Sequence, residues 1–190
     1  DVIYVPDPDQ IYPDGFASTV SVTGVADQME GASRPGHFDG VATVVAKLFL
    51  QTGAHQAFFG EKDYQQLQIV RRMASDLNIP IEVVGCPTIR EEDGLAMSSR
   101  NLLISDRARI KAPAMAEIMN DVRDALLNGA AMRDLADDAK ERILAAGFND
   151  IDYFELRSKD LDLLDKHEPG ARLFAAAWLA GVRLIDNIAV

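Results

Sequence analysis

Short apolar runs alternate with longer stretches in which apolar residues recur every three or four positions. Over the first half of the chain this alternation is the mark of parallel strands joined by crossover helices. Asp1 to Val5 reads as a strand, followed by a polar, proline-containing stretch to Asp14-Gly15 and a β-rich run, Ser18-Thr19-Val20-Ser21-Val22. Beyond a loop with Gly31 and Gly36, the residues Phe38, Val41, Val44, Val45, Leu48 and Phe49 share one helical face, and the helix ends near Gly53. Gln56 to Phe59 reads as a buried strand that runs into Gly60-Glu61-Lys62-Asp63 and then a helix through Leu67, Val70 and Met73 to Leu77. Asn78-Ile79-Pro80 stops that helix, because the residue before a proline is pushed out of helical geometry. Ile81 to Val84 is the next strand, completing a strand–helix–strand unit whose crossover is expected to be right-handed.

The second half has a different texture. Ser105 and Asp106 are N-cap residues for a long helix through Ile110, Met115, Ile118, Val122 and Leu126 to near Gly129. A second helix, Leu135 to Ala146, ends at Gly147. Ile151 to Leu156 alternates as a half-buried strand does, and Arg172 to Leu179 and Val182 to Ile188 flank Ala180-Gly181 like the arms of a hairpin. The pattern predicts an α/β chain: a parallel sheet over residues 1–88, then a smaller α+β domain over residues 89–190. No internal repeat or low-complexity tract interrupts it.

The 190 residues, 48% apolar and 26% charged, suffice for one large domain or two small ones with a real core. A net charge of −11 argues against a nucleic-acid backbone or an anionic membrane as main partner, since either needs clustered Lys and Arg. Any phosphate must be met by a local pocket. No apolar run reaches the roughly 18 residues of a membrane span. The single cysteine, Cys86, has no internal disulfide partner and reads as an inert buried thiol; no Cys/His cluster has metal-ligand spacing. A reducing, cytoplasmic setting is expected. The opening Asp1-Val2-Ile3-Tyr4-Val5-Pro6 has neither an initiator methionine nor a signal-peptide pattern and reads as a strand already in the core, so the natural protein is expected to begin earlier.

Two segments hold more polar chemistry than their structure demands. Gly60-Glu61-Lys62-Asp63-Tyr64-Gln65-Gln66 lies at the C-terminal end of a parallel strand, the edge where open α/β sheets bind ligands. There helix N-termini offer free N–H groups to phosphates, and Lys62 can meet a phosphate or a carboxylate. The plainer alternative makes Lys62 and Asp63 exposed first-turn residues and Gln65 and Gln66 solvated helix formers. Asp93-Gly94-Leu95-Ala96-Met97-Ser98-Ser99-Arg100-Asn101 puts two hydroxyls and a guanidinium in a donor-only cluster suited to phosphoryl oxygens, on a loop that Gly94 leaves free to close. Its alternative is a helix cap at Ser98 or Ser99 and a surface ion pair at Arg100.

Together, Phe58-Phe59-Gly60-Glu61-Lys62-Asp63-Tyr64-Gln65-Gln66 and the segment Asp93 to Asn101 closely resemble the pantothenate synthetases, the pantoate–β-alanine ligases. Tyr12-Pro13-Asp14-Gly15-Phe16, Glu30-Gly31, Arg34-Pro35-Gly36-His37-Phe38 and Arg183-Leu184-Ile185-Asp186-Asn187 extend the resemblance over essentially the whole chain. It implies that residues 1–88 are the C-terminal part of a Rossmann-like, nucleotidyltransferase-type domain and residues 89–190 a lid. It implies a reaction in which pantoate attacks the α-phosphate of Mg2+-bound ATP, and β-alanine then displaces AMP from pantoyl-adenylate. It also implies a homodimer.

Carried over by motif, the resemblance implies ATP binding by Gly60, Glu61, Lys62, Asp63, Ile89, Met97, Ser98, Ser99 and Arg100. Asp63 would meet the ribose, Ile89 the adenine through its backbone, Lys62 the phosphates and the reacting carboxylate, and Ser98, Ser99 and Arg100 the phosphates. Gln66 would hold pantoate. Adenylation is mainly positioning plus stabilisation of charge on phosphoryl oxygens, and a pantoate carboxylate is already ionised at neutral pH, so no general base is required for it. The family's histidine-rich signature and magnesium-associated acids have no counterpart here: His37, His55 and His167 form no His-x-Gly-His pair. The chain alone is therefore expected to be inactive, its magnesium ligands outside the 190 residues. His37 reads as a local cap or hydrogen-bonding residue and Trp178 as core. Two other functions stay open: a stand-alone nucleotide-binding module without catalysis, and a nucleotidyltransferase for a phosphorylated acceptor.

Overall fold

The structure is a computed structural model that describes residues 3–190 and divides into two compact units, one running to Cys86 and the other spanning Pro87–Val190.

In the first unit, α1 (Pro8–Ile11), α2 (Glu30–Ser33) and α3 (His37–Thr52) precede a strand–helix–strand unit of β1 (Gln56–Gly60), α4 (Tyr64–Asp76) and β2 (Glu82–Cys86). The two strands pair in parallel, from Gln56 opposite Glu82 to Gly60 opposite Cys86. Gly53 ends α3 in the left-handed region (φ 59°), its N–H donating to Phe49 O at 3.0 Å. Asn78 does the same after α4 (φ 52°), and Ile79 N–H reaches back to Ala74 O at 2.9 Å ahead of Pro80. Phe38, Ala42, Val45 and Phe49 of α3 pack on Ile69, Val70 and Met73 of α4, with Phe59 and Val83 of the strands against them. Each Val, Ile, Met or Phe side chain fully buried from water contributes about 1.5–3 kcal/mol.

Three expectations fail here. Asp1 and Val2 lie outside the described residues, and Ile3, Tyr4 and Val5 form no strand but stand exposed. Ser18 to Val22 joins no ladder: Val20 N–H donates instead to the buried Thr43 Oγ1 of α3 at 2.9 Å. Strand-forming composition becomes a strand only beside a partner strand, and β1 and β2 are the strands of this unit among the described residues. β1, expected to be buried, is half-buried on one face only, with Phe58 on the other at 66% exposure, because α3 and α4 both pack on the Phe59 side.

The second unit holds α5 (Asp106–Arg109), α6 (Ala114–Leu127), α7 (Met132–Ala145), β3 (Asp150–Arg157), β4 (Leu163–Leu164), β5 (Arg172–Leu179) and β6 (Val182–Ala189). The strands form an antiparallel sheet in the order β4-β3-β5-β6. Met115, Met119, Val122 and Leu126 of α6 and Ala139 and Ile143 of α7 pack on Leu156, Leu173, Ala175, Ala177 and Leu184 of the sheet. The small side chains Ala175-Ala176-Ala177 are fully buried on the central strand β5, and no expected helix or hairpin arm in this half is missing. The expected long helix from Asp106 is two helices: Ala112 N–H donates to Arg109 O and Ala114 N–H to Lys111 O in a tight turn, because Pro113 has no N–H and its ring bars Ala112 from continuing α5. The expected alternation of Ile151 to Leu156 is broken by a bulge at Asp152, whose carboxylate accepts Trp178 Nε1–H at 3.0 Å and Arg183 Nε–H at 2.5 Å. Trp178 is half-buried rather than core, and Cys86 is half-buried rather than buried.

Candidate functional site

In the first unit, β1 ends at Gly60 in extended conformation (φ −66°, ψ 131°), a single 3-10 turn covers Glu61–Asp63, and α4 starts at Tyr64. The turn therefore stands at the C-terminal edge of the two parallel strands. Gly60 is exposed and a Cβ there would meet nothing within 4 Å, so its backbone is open to approach. Glu61 leans over β2: a Cβ on Gly85 would lie 3.2 Å from Glu61 Oε1. Lys62 is half-buried, Asp63 exposed and Gln66 half-buried, so the residues singled out from the sequence are gathered on one turn and the first turn of α4.

Gln65 departs from the plainer alternative that made it a solvated helix former. Its side chain is 4% exposed, and it donates from Nε2 to Val25 O at 2.8 Å and Gln28 O at 2.7 Å while Oε1 accepts Glu30 N–H at 3.1 Å. It fastens residues 25–30 to the start of α4. At the N-terminus of α3, Arg34 Nη1 donates to His37 Nε2 at 3.0 Å, the local role expected of that ring.

In the second unit, Ile89 to Met97 form a narrow hairpin. Met97 N–H donates to Ile89 O at 2.9 Å, Glu91 N–H to Leu95 O at 2.8 Å and Gly94 N–H to Glu91 O at 2.9 Å, with Gly94 left-handed at φ 88°. The structure thus brings Ile89 and Met97 side by side, both side chains exposed, with Ser98-Ser99-Arg100 directly after them. Ser98 Oγ accepts Arg100 N–H at 3.2 Å and caps the 3-10 turn Ser99–Leu103. That half of the plainer alternative holds. The other half does not: among the described residues Ser99 and Arg100 make no side-chain hydrogen bond or ion pair, so both remain available to a ligand's oxygens.

Several residues at this loop were not legible from chemistry in the sequence. Arg109 forks onto Asp93 Oδ2 at 2.5 Å and Glu91 Oε2 at 2.6 Å. Those bonds hold the Glu91 and Asp93 carboxyls below the usual carboxylate range, with Asn101 adding to the effect at Glu91, and raise the guanidinium of Arg109 still further above neutrality. Asn101 is buried and donates from Nδ2 to Glu91 Oε1 at 2.8 Å and Ala96 O at 3.1 Å. Arg90 pairs with the buried Asp186 of β6 at 2.7 and 3.0 Å. Thr88 Oγ1, beside Ile89, is buried without a hydrogen-bond partner among the described residues. Arg90, Asn101 and Asp186 lie in or beside stretches noted for their resemblance, but pairings across up to 96 positions leave no mark in local spacing.

For a divalent metal the described residues offer no group of three or more His, Cys, Asp or Glu side chains. No helix among them is long and apolar enough to cross a membrane.

A family model described as pantoate-beta-alanine ligase matches residues 1–189. The pantothenate synthetase of Roseobacter denitrificans is 67% identical over 191 residues, a match covering 100% of this chain and 67% of the relative. That of Caulobacter vibrioides is 49% identical over 194 residues, covering 100% of this chain and 68% of the relative. Among solved structures, pantoate-beta-alanine ligase (pantothenate synthetase) from Thermus thermophilus superposes with a TM-score of 0.93 at 44% identity, over 99% of this chain and 69% of that one. The Francisella tularensis pantoate-beta-alanine ligase complexed with beta-gamma ATP and beta-alanine gives a TM-score of 0.75 at 32% identity, over 95% of this chain and 61% of that one.

Proposed function

The chain belongs to the pantoate–β-alanine ligase family, and we propose that it activates pantoate with ATP as pantoyl-adenylate and passes the acyl group to β-alanine. In the first step a carboxylate oxygen of pantoate attacks the α-phosphorus and the bond to the β-phosphate oxygen breaks, releasing pyrophosphate. In the second the β-alanine amine attacks the acyl carbon, AMP leaves, and the amine proton goes to solvent. Gly60, Glu61, Lys62 and Asp63 hold the nucleotide, with Lys62 also on the reacting carboxylate and Asp63 at the ribose. The Ile89 backbone and Met97 flank the adenine, and Ser98, Ser99 and Arg100 take the phosphates. Gln66 binds pantoate. ATP enters with Mg2+ whose ligands lie outside these residues, and the enzyme works as a cytoplasmic homodimer.

The single observation that carries this reading is the hydroxyl of Ser99 and the guanidinium of Arg100, on successive residues and without side-chain partners among the described residues, directly after a hairpin closed by the Glu91 and Met97 N–H bonds. Donors not already paired with a carboxylate are what charge on in-line phosphoryl oxygens requires. The solved relative complexed with beta-gamma ATP and beta-alanine supports ATP and β-alanine as two of these substrates.

The test is pantoate-dependent ATP–pyrophosphate exchange in the natural protein and its Arg100→Ala variant. The expected result is turnover lowered about 100-fold or more with the pantoate KM within about twofold, since the guanidinium acts on charge that develops in the transition state. A raised KM with unchanged turnover would refute the role. These 190 residues by themselves, which contain no His-x-Gly-His pair, are proposed not to catalyse exchange. Exchange by the 190-residue chain alone refutes that part.

A further inference from the structure

We propose that Arg109 is a positioning residue for the loop that carries Ser98, Ser99 and Arg100: its guanidinium ties Glu91 and Asp93 together, so that the donors after them are set in one geometry before nucleotide arrives. The proposal rests on the adenylate-forming reading above for what the loop grips, and on the geometry alone for how the loop is held.

The hairpin tip, Glu91-Glu92-Asp93-Gly94, puts three carboxylates within three successive residues, which repel one another wherever they are unpaired. Arg109, the last residue of α5, reaches two of them at once through Nη1 to Asp93 and Nη2 to Glu91. A planar fork spans two acceptors in a fixed geometry, which a lysine ammonium does not. The second oxygen of Glu91 accepts from Asn101 Nδ2, and the same amide nitrogen donates to Ala96 O. Asn101 follows Arg100 directly and is buried. Met97 to Arg100 are therefore slung between two fixed points, the hairpin and Asn101, and both run through Glu91 to Arg109. On the far side Arg90 Nη1 donates to Gly94 O at 3.0 Å while the same guanidinium is held by Asp186 of β6.

Arg109 cannot itself serve a phosphate, because its charge is matched by two carboxylates at 2.5 and 2.6 Å. Its use lies in the placement of Arg100. Misplacing a transition-state contact by about 1 Å costs on the order of 100-fold in rate.

The experiment sets Arg109→Ala and Arg109→Lys beside Arg100→Ala in the natural protein, reading pantoate-dependent ATP–pyrophosphate exchange and backbone amide exchange without nucleotide. For Arg109→Ala we expect turnover lower by about 10- to 100-fold, the pantoate KM within about twofold, and amides of Glu91, Gly94, Leu95 and Met97 exchanging at least about 10-fold faster while β5 and β6 are unchanged. Arg109→Lys recovers part of the turnover. A fall in turnover without faster loop exchange, faster loop exchange with turnover within about twofold, or exchange raised equally through β5 and β6 overturns the proposal. Intact turnover in Arg100→Ala means the phosphate-gripping reading fails, and the amide result alone then decides whether Arg109 holds the loop. Should Arg109→Ala not fold, the double variant Glu91→Gln, Asp93→Asn breaks the same two ion pairs from the carboxylate side with the shapes retained and is judged by the same outcomes.

Discussion

Replacing Gly31 by alanine asks for space that backbone already fills. A Cβ at that position in α2 would stand 1.6 Å from Ala26 O and 2.7 Å from Ala26 C, with Phe38 Cδ2 at 3.3 Å. No rotamer change relieves a clash with main chain, so the segment around Ala26 must retreat by roughly 1.5–2 Å to regain an ordinary separation of about 3.5 Å. That segment is the one Gln65 holds through Val25 O and Gln28 O, with Glu30 N–H on its Oε1. The retreat strips hydrogen bonds from an amide that is 4% exposed, and each buried polar group left unpaired costs about 1–3 kcal/mol. A loss of about 2–4 kcal/mol follows for Gly31→Ala. With a urea slope of about 2 kcal/mol/M, the unfolding midpoint followed by far-UV circular dichroism falls by roughly 1–2 M. Gln65→Ala breaks the same bonds, so the double variant should cost about as much as the worse single one, a coupling of about 2 kcal/mol. A midpoint shift below about 0.3 M, or full additivity of the two changes, would show that Gln65 and Gly31 do not share one anchorage.

Met119→Ala opens a cavity where α6 meets the sheet around a fully buried side chain and should cost about 2–5 kcal/mol; a loss under about 1 kcal/mol in urea unfolding would mean the helix settles onto the strands. The Arg109 network also sets a pH dependence. Because Glu91 and Asp93 have lowered values in the folded state, their stabilising share is complete above their unfolded values near about 4 and is lost as pH falls through the lower folded values. The stability gap between the wild type and Arg109→Met should stay constant from about pH 7 to pH 5 and close below about pH 4; a gap that widens in acid contradicts the pairing.

The elements that local pattern announces well are those whose apolar face repeats along one stretch. The α3 face of Phe38, Val45 and Phe49, the strand–helix–strand unit around α4, and the β5–β6 hairpin about Ala180-Gly181 were all legible in this way. The misses share another cause. Ser18 to Val22 has the composition of a strand and lacks a partner, Ile110 to Pro113 sits inside a helical period that Pro113 interrupts, and Asp152 leaves its strand's alternation to serve Trp178 and Arg183. In each case a distant residue or one backbone N–H outweighs a local preference worth no more than about 1 kcal/mol.

The same division runs through the candidate site. Residue type and order alone placed Gly60 to Gln66 at the carboxyl end of a strand and marked Ser98-Ser99-Arg100 as a donor cluster, because a strand-to-helix turn and a glycine-bearing loop are local matters. Family membership too was written in those stretches. What tertiary structure decided is which polar residues are already spoken for. Gln65 is a buried tie to residues 25–30, Arg109 is bound to two carboxylates, and Arg100 is left with its donors open. A side chain's chemistry is fixed by its own atoms, whereas its availability depends on neighbours brought from 16 to 96 positions away by packing, and no local spacing encodes them.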